Sequence, residues 1–130
     1  MIGLDTNIVV RYLTHDDPDQ TSAAVKVIDS LSSESPGFLS LIVVVELVWV
    51  LEVSYRFTRN EIEQVLETLL RSKELTIERA EIVSQALQKF SANRADFADC
   101  LIERSGYAAE CEYTFTFDRN AVTAGMKLLR

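Results

Sequence analysis

An α/β fold, a three-layer α/β/α arrangement around a short central parallel sheet, is what this sequence predicts, and three observations predict it. Short apolar runs at residues 2–4, 38–39, 75–77 and 113–117 are separated by longer stretches with helical periodicity, and strands alternating with helices build parallel sheets covered on both faces. The 130 residues contain no repeat, low-complexity tract or linker, and read as a single domain, 1–130. Apolar residues make up 48% of the chain, enough for one core.

The predicted order is β-α-α-β-α-α-β-α-α-β-α. Residues 2–4 read as a short buried strand, and a helix can start at Thr6. In Asp17-Pro18-Asp19-Gln20, Asp17 is an N-cap, Pro18 takes the first helical position and Gln20 stands three after the cap. Ala23, Ala24, Val27, Ile28 and Leu31 then share one helix face. Ser35-Pro36-Gly37 breaks the chain before the second strand, Phe38-Leu39. Residues 41–55 are rich in β-branched side chains but long for a strand, so they are assigned to a buried helix capped by Ser40. Thr58 and Glu61 form a capping box ahead of Ile62, Val65, Leu66, Leu69 and Leu70. A third strand is expected at Leu75-Thr76-Ile77, and a helix around Val83, Ala86, Leu87 and Phe90. Asp96 can cap a helix over 97–109, residues 113–117 alternate as a fourth strand, and a last helix follows Asp118.

Bulk properties exclude several classes. The N-terminus shows no charged leader or cleavage site, and the longest apolar run is too short to span a bilayer, so a cytoplasmic protein without a membrane role is expected. The net charge of −7 argues against a nucleic-acid coat protein, which would be basic, but leaves room for an enzyme acting on nucleic acid through a metal. Cys100 and Cys111 lack metal-site spacing and read as two reduced, mostly buried thiols. The single histidine, His15, lies beside Asp16-Asp17 and reads as surface; it leaves no pair for acid–base cleavage of RNA.

Four acids stand in apolar sequence: Asp5 after Ile2-Gly3-Leu4, Glu46 inside 41–51, Asp99 before Cys100-Leu101-Ile102, and Asp118 after Phe117. Burying a carboxylate without compensation is expensive. Ligands of parallel sheets bind beyond the carboxyl ends of the strands, where Asp5 and Asp118 are both expected to project. Collected there, the four carboxylates suit Mg²⁺ or Mn²⁺. Asp96, three residues before Asp99, shares its helix face and is either a further ligand or only a cap. Thr6, Asn7 and Thr116 flank the acids and are expected to orient them. Each acid also has a plain structural alternative: Asp5 and Asp118 as helix caps, and Glu46 as the partner of a buried arginine.

The pieces Leu4-Asp5-Thr6-Asn7-Ile8-Val9-Val10-Arg11-Tyr12-Leu13, Glu46, Asp96-Phe97-Ala98-Asp99-Cys100-Leu101-Ile102 and Thr114-Phe115-Thr116-Phe117-Asp118 occur in one order over nearly the whole chain. In this the sequence resembles PIN-domain proteins, and among them the VapC-type toxin ribonucleases of toxin–antitoxin systems. The family's acidic positions map onto Asp5, Glu46 and Asp99, with Asp118 as a more variable fourth and Asp96 as an acid of some members. Cys100 stands where the family usually has a small residue.

The resemblance implies a Mg²⁺-dependent endoribonuclease, with Mn²⁺ as substitute, that cuts single-stranded RNA. Asp5 and Asp99 are the expected direct ligands. Glu46 ligates or orients the attacking water, and Asp118 completes a second site. Metal-assisted hydrolysis leaves a 5′-phosphate and a 3′-OH. Arg11, Arg94, Arg104 and Arg119 are candidates to line the RNA path, with Arg11 the substrate-side residue nearest the first motif. A cognate antitoxin is the implied partner, expected in a groove of the hairpin 41–72 with its Trp49, Tyr55 and Phe57, and a homodimer is implied by family analogy. The alternatives are a non-catalytic PIN scaffold that only binds a partner, and a receiver-like signalling domain. The receiver would need an acidic pair after the first strand and a lysine where Arg119 stands.

Overall fold

The structure is a computed structural model describing residues 1–130, and the chain forms two compact units, Met1–Glu78 and Arg79–Arg130. No helix is long and apolar enough to cross a membrane.

The first unit contains β1 (Ile2–Gly3), α1 (Thr6–Thr14), α2 (Pro18–Asp29), β2 (Gly37–Leu39), α3 (Leu41–Tyr55), α4 (Arg59–Arg71) and β3 (Leu75–Ile77). Its three strands form a parallel sheet in the order β1-β2-β3, with Gly37 opposite both Ile2 and Leu75. Parallel neighbours need long crossovers, and each is a helix pair here. Leu39 on the central strand is fully buried. In β1, by contrast, Ile2 and Gly3 are exposed and only the following Leu4 is buried. The expected buried first strand is therefore an edge with a single partner. Gly37 is required by packing: a Cβ there would lie 2.8 Å from Leu4 Cδ1 and 2.9 Å from Leu31 Cδ1.

Local chemistry starts the helices where the sequence places them. Asp17 accepts from the Gln20 amide at 3.1 Å, with Pro18 in the first turn. Gln20 does not complete a box; its side chain accepts from Arg11 Nε instead, at 2.7 Å. Ser40 accepts from the Val43 amide at 3.2 Å, and residues 41–55 are a helix. Thr58 and Glu61 form the full capping box, at 3.2 and 2.9 Å.

Two expectations of burial are corrected. Helix α3 buries Val44, Leu47, Val48 and Leu51 but leaves Ile42, Trp49 and Val53 exposed, so it is apolar all round yet packed on one side only. Helix α2 fully buries only Ala24 of the expected face; Ala23 is exposed and Val27 and Ile28 are half-buried. An open groove explains this. Ile28 lines a cavity of about 370 Å³ with Leu4, Val9, Tyr12, Leu13 and Leu69.

The second unit contains α5 (Ala80–Ala92), α6 (Phe97–Ala108), β4 (Phe115–Thr116), α7 (Arg119–Val122) and β5 (Lys127–Leu128). Ile82, Val83, Ala86, Leu87 and Phe90 of α5 pack with Phe97, Cys100 and Leu101 of α6, and Phe90 meets Phe97 edge-on at 6.0 Å. The expected five-residue fourth strand is two residues long. It pairs in parallel with β5, a strand the sequence does not announce, in a ladder of its own. The last helix is a single turn ending at Val122, and Gly125 beyond it has φ +109°. Asp5 and Asp118 each follow a strand as expected, but the two strands belong to different ladders, so strand pairing does not put both at one sheet edge.

Candidate active site

The sequence-derived acids are surface groups. Asp5, Glu46, Asp96 and Asp118 are exposed, and Asp99 is intermediate. The expectation that apolar context buries them is corrected: α3 shows Glu46 on its open side, and helix starts, which place Asp5, Asp96 and Asp118, lie at the surface.

In the first unit, Asp5 is the N-cap of α1 and accepts from the Thr6 amide at 2.7 Å. Thr6 is buried, 5% exposed, and its hydroxyl donates to Glu46 Oε1 at 2.6 Å. That bond joins α1 to α3 and ties Glu46 to the residue that follows Asp5. Glu46 does not face inward, and the bond it makes is to a threonine rather than a buried arginine; Thr6 holds one oxygen and the side chain is exposed. Asn7 is exposed in the first turn of α1.

In the second unit, Asp96 caps α6 by accepting from the Asp99 amide at 2.8 Å. Asp118 caps α7 by accepting from the Asn120 amide at 2.8 Å, and its own amide donates to Thr116 Oγ1 at 3.0 Å. Thr116 thus orients Asp118. Asp99 feels both other acids. Burial, then the charge and hydrogen bond of Asp96, then the charge of Asp118, push its carboxyl up to about 6. Capping and ligation are compatible, because a cap occupies one lone pair of a carboxylate that has about four. A helix N-terminus also favours the negative charge.

The donor set fits a hard divalent cation. Carboxylate oxygens are the ligands Mg²⁺ and Mn²⁺ take, and crowded charge at Asp96, Asp99 and Asp118 is relieved by a dication. The side chains do not form a closed cage: no three acidic, histidine or cysteine groups gather tightly enough to enclose an ion.

The arginines divide. Arg11 is held by Gln20, by Asp16 at 3.2 Å and by the Tyr55 hydroxyl at 3.0 Å, while Tyr55 also donates to Asp16. Arg104 grips Glu103 at 2.6 and 3.0 Å and lies over the Tyr107 ring. Both are thus engaged within the protein, whereas Arg94 and Arg119 are exposed. Sequence reading missed the Asp16–Tyr55 clamp on Arg11. Its partners lie 39 residues apart and share no motif. His15 is exposed as expected, in the left-handed position that ends α1.

The PIN domain model matches residues 2–125. A VapC ribonuclease of Aquifex aeolicus is 25% identical over 125 residues, covering 95% of this chain and 92% of that protein. The crystal structure of FitAcB from Neisseria gonorrhoeae aligns over all of this chain and 97% of that one, with 24% identity and a TM-score of 0.37. On a family match that takes in both compact units and every acid described above, the chain belongs to the PIN domain family.

Proposed function

We propose that this protein is a Mg²⁺-dependent endoribonuclease of single-stranded RNA, with Mn²⁺ as substitute, acting as the toxin of a toxin–antitoxin pair. The observation that carries the reading is the carboxylate arrangement in a PIN-family chain: Thr6 bonded to both Asp5 and Glu46, and Asp96 and Asp118 crowding Asp99. The relative named VapC ribonuclease supports the nuclease and toxin parts. The carboxylates proposed to ligate a cation are Asp5 and Glu46 in the first unit, and Asp99 and Asp118, with Asp96 in support, in the second. Once bound, such an ion supplies positive charge against the phosphodiester and makes a water more acidic. The chain's own residues then do the rest. Thr6 keeps one Glu46 oxygen fixed and leaves the other to accept a proton or orient water. Thr116 holds the backbone of Asp118. Asp99, a carboxylate with raised proton affinity, becomes fully ionised once a cation offsets its neighbours.

An antitoxin and a second copy of the chain are the proposed protein partners, and the cytoplasm the proposed setting. The groove lined by Tyr12, Leu13, Ile28 and Leu69 in the first unit offers apolar surface for an antitoxin helix. It differs from the surface expected at Trp49, which lies on the exposed side of α3.

The test is cleavage of a labelled single-stranded RNA with Mg²⁺, with Mn²⁺ and with EDTA, by wild type, Asp5→Asn and Asp99→Asn. Cleavage confined to the metal-containing wild-type reactions, leaving 5′-phosphate ends, is the expected result. Wild-type rates in either variant would remove that residue from the reading. Folded protein inert with both metals would favour the non-catalytic scaffold.

A further inference from the structure

We propose that Lys89 is a positioning residue: from the last turn of α5 it pins the turn after α7, and so fixes the placement of Asp118 relative to Asp99. This rests on the metal-nuclease reading above. The Lys89 ammonium donates to the Ala124 carbonyl at 2.7 Å and pairs with Glu103 Oε1 at 3.1 Å. Ala124 lies just beyond the one-turn helix that Asp118 caps. Basic side chains satisfy carbonyls left open at such helix ends.

The seat is built rather than incidental. Glu103 is 12% exposed, and Arg104 grips both its oxygens at 2.6 and 3.0 Å, sharing Oε1 with Lys89. Burial pushes the Glu103 carboxyl up, but the hydrogen bonds from Arg104 and Lys89 outweigh it and hold the group below its usual range. Gly125 has φ +109°, and a Cβ there would lie 3.0 Å from Lys89 Nζ and 3.5 Å from the Glu103 carboxylate. A glycine is needed for the ammonium to sit this close to the turn. Ala121, Ala124 and Met126 are buried beneath it.

From this turn the constraint reaches Asp118 along the backbone. The Lys127 amide donates to the Thr114 carbonyl and the Leu129 amide to the Thr116 carbonyl, both at 2.8 Å, so β5 holds β4. Thr116 in turn accepts from the Asp118 amide. Asp118 is thus held from both ends of α7, and Lys89 is the cation that secures the far end. An ordinary surface ion pair is worth little; what distinguishes this one is that its donor also binds a backbone carbonyl in a turn one helix away from a candidate ligand.

The test is a double-mutant cycle on Mn²⁺ affinity, measured by titration calorimetry. Lys89→Met and Lys89→Arg are made in wild type and in Asp118→Asn, with thermal unfolding in EDTA as the fold control. Lys89→Met is expected to weaken Mn²⁺ binding about tenfold, the size of effect seen when a group that orients a ligand is lost, while Lys89→Arg restores it. In the Asp118→Asn background Lys89→Met is expected to change affinity no further, because its route of action is gone. Unchanged affinity in Lys89→Met, or equal weakening in both backgrounds, overturns the proposal. A wild type that binds no Mn²⁺ overturns the metal-nuclease reading and the proposal with it, which separates the two failures. If Lys89→Met does not fold, Lys89→Gln, which removes the charge and shortens the side chain, is carried through the same cycle with the same criteria.

Discussion

Asp99 stands in the first turn of α6 with Asp96 and Asp118 as like-charged neighbours, and the balance of forces on it gives a sign that can be checked. Its carboxyl is pushed up to about 6 from an ordinary 3.8. The folded state therefore holds this proton more tightly than the unfolded chain, so stability falls as pH rises from about 4 to about 6 and the penalty stays constant above that. In metal-free protein, Asp99→Asn should raise stability at pH 8 by about 1 kcal/mol once solvent screening of a partly exposed group is allowed for. The gain should vanish near pH 4. Thermal unfolding in EDTA across this range is the measurement, and a loss of similar size at both ends would make Asp99 a structural group. Thr6 carries a second prediction. Thr6→Val keeps the volume and removes the donor to Glu46; it should cost about 1 kcal/mol of stability and roughly 10–100-fold in metal-dependent cleavage. Thr6→Ser, which keeps the hydroxyl, should restore most of the activity. An active Thr6→Val would mean that the Glu46 orientation does not matter. The identities of these acids were readable from the sequence, because polar residues in apolar runs stand out. Their exposure was not: α3 is apolar on all sides, so nothing in its composition tells which side faces out, and Glu46 falls on the open one.

Helix starts are the elements whose signals are local, and they are the ones the sequence places well. Ser40 decides between strand and helix for residues 41–55 because an N-cap needs only its own side chain and an amide three residues on. The same holds for Asp17, Thr58 and Asp96. Strands β4 and β5 are two residues each, too short to carry a period, and exist through pairing with one another. Their extent depends on a turn at Gly125 that no neighbouring sequence announces. At β2 the packing predicts a contrast between two glycines. Gly37→Ala drives a methyl against Leu4 and Leu31, both buried, and should lower stability by about 1–3 kcal/mol. Gly3→Ala meets nothing within 4 Å on the exposed edge strand and should stay within about 0.5 kcal/mol of wild type. Chemical denaturation of both variants checks this; equal losses would mean that the β1-β2 register, not the Leu4–Gly37–Leu31 contact, governs the sheet.

Charge acts on the molecule as a whole, and here it opposes the proposed substrate. The chain carries 20 acidic and 13 basic residues, and RNA is itself a polyanion. Two of the arginines nearest the motifs, Arg11 and Arg104, are already paired with Asp16 and Glu103. A protein that binds through many phosphate contacts loses affinity steeply with salt, because each neutralised phosphate releases a counterion on binding. Acidic residues outnumber basic ones in this chain, and added salt screens its overall repulsion of the strand. The rate constant kcat/KM on a short single-stranded RNA, at fixed saturating free Mg²⁺, should therefore depend only weakly on NaCl between about 50 and 200 mM, with a log–log slope shallower than about −2, equivalent to roughly three phosphate contacts on a single strand. Arg119→Ala, which removes an exposed arginine beside Asp118, should flatten the slope by up to about one unit if that side chain makes one of those contacts. A slope of about −5 or steeper in the wild type would show an extended cationic path for the strand, and the assignment of substrate binding to a carboxylate-held cation and a few surface arginines would be wrong.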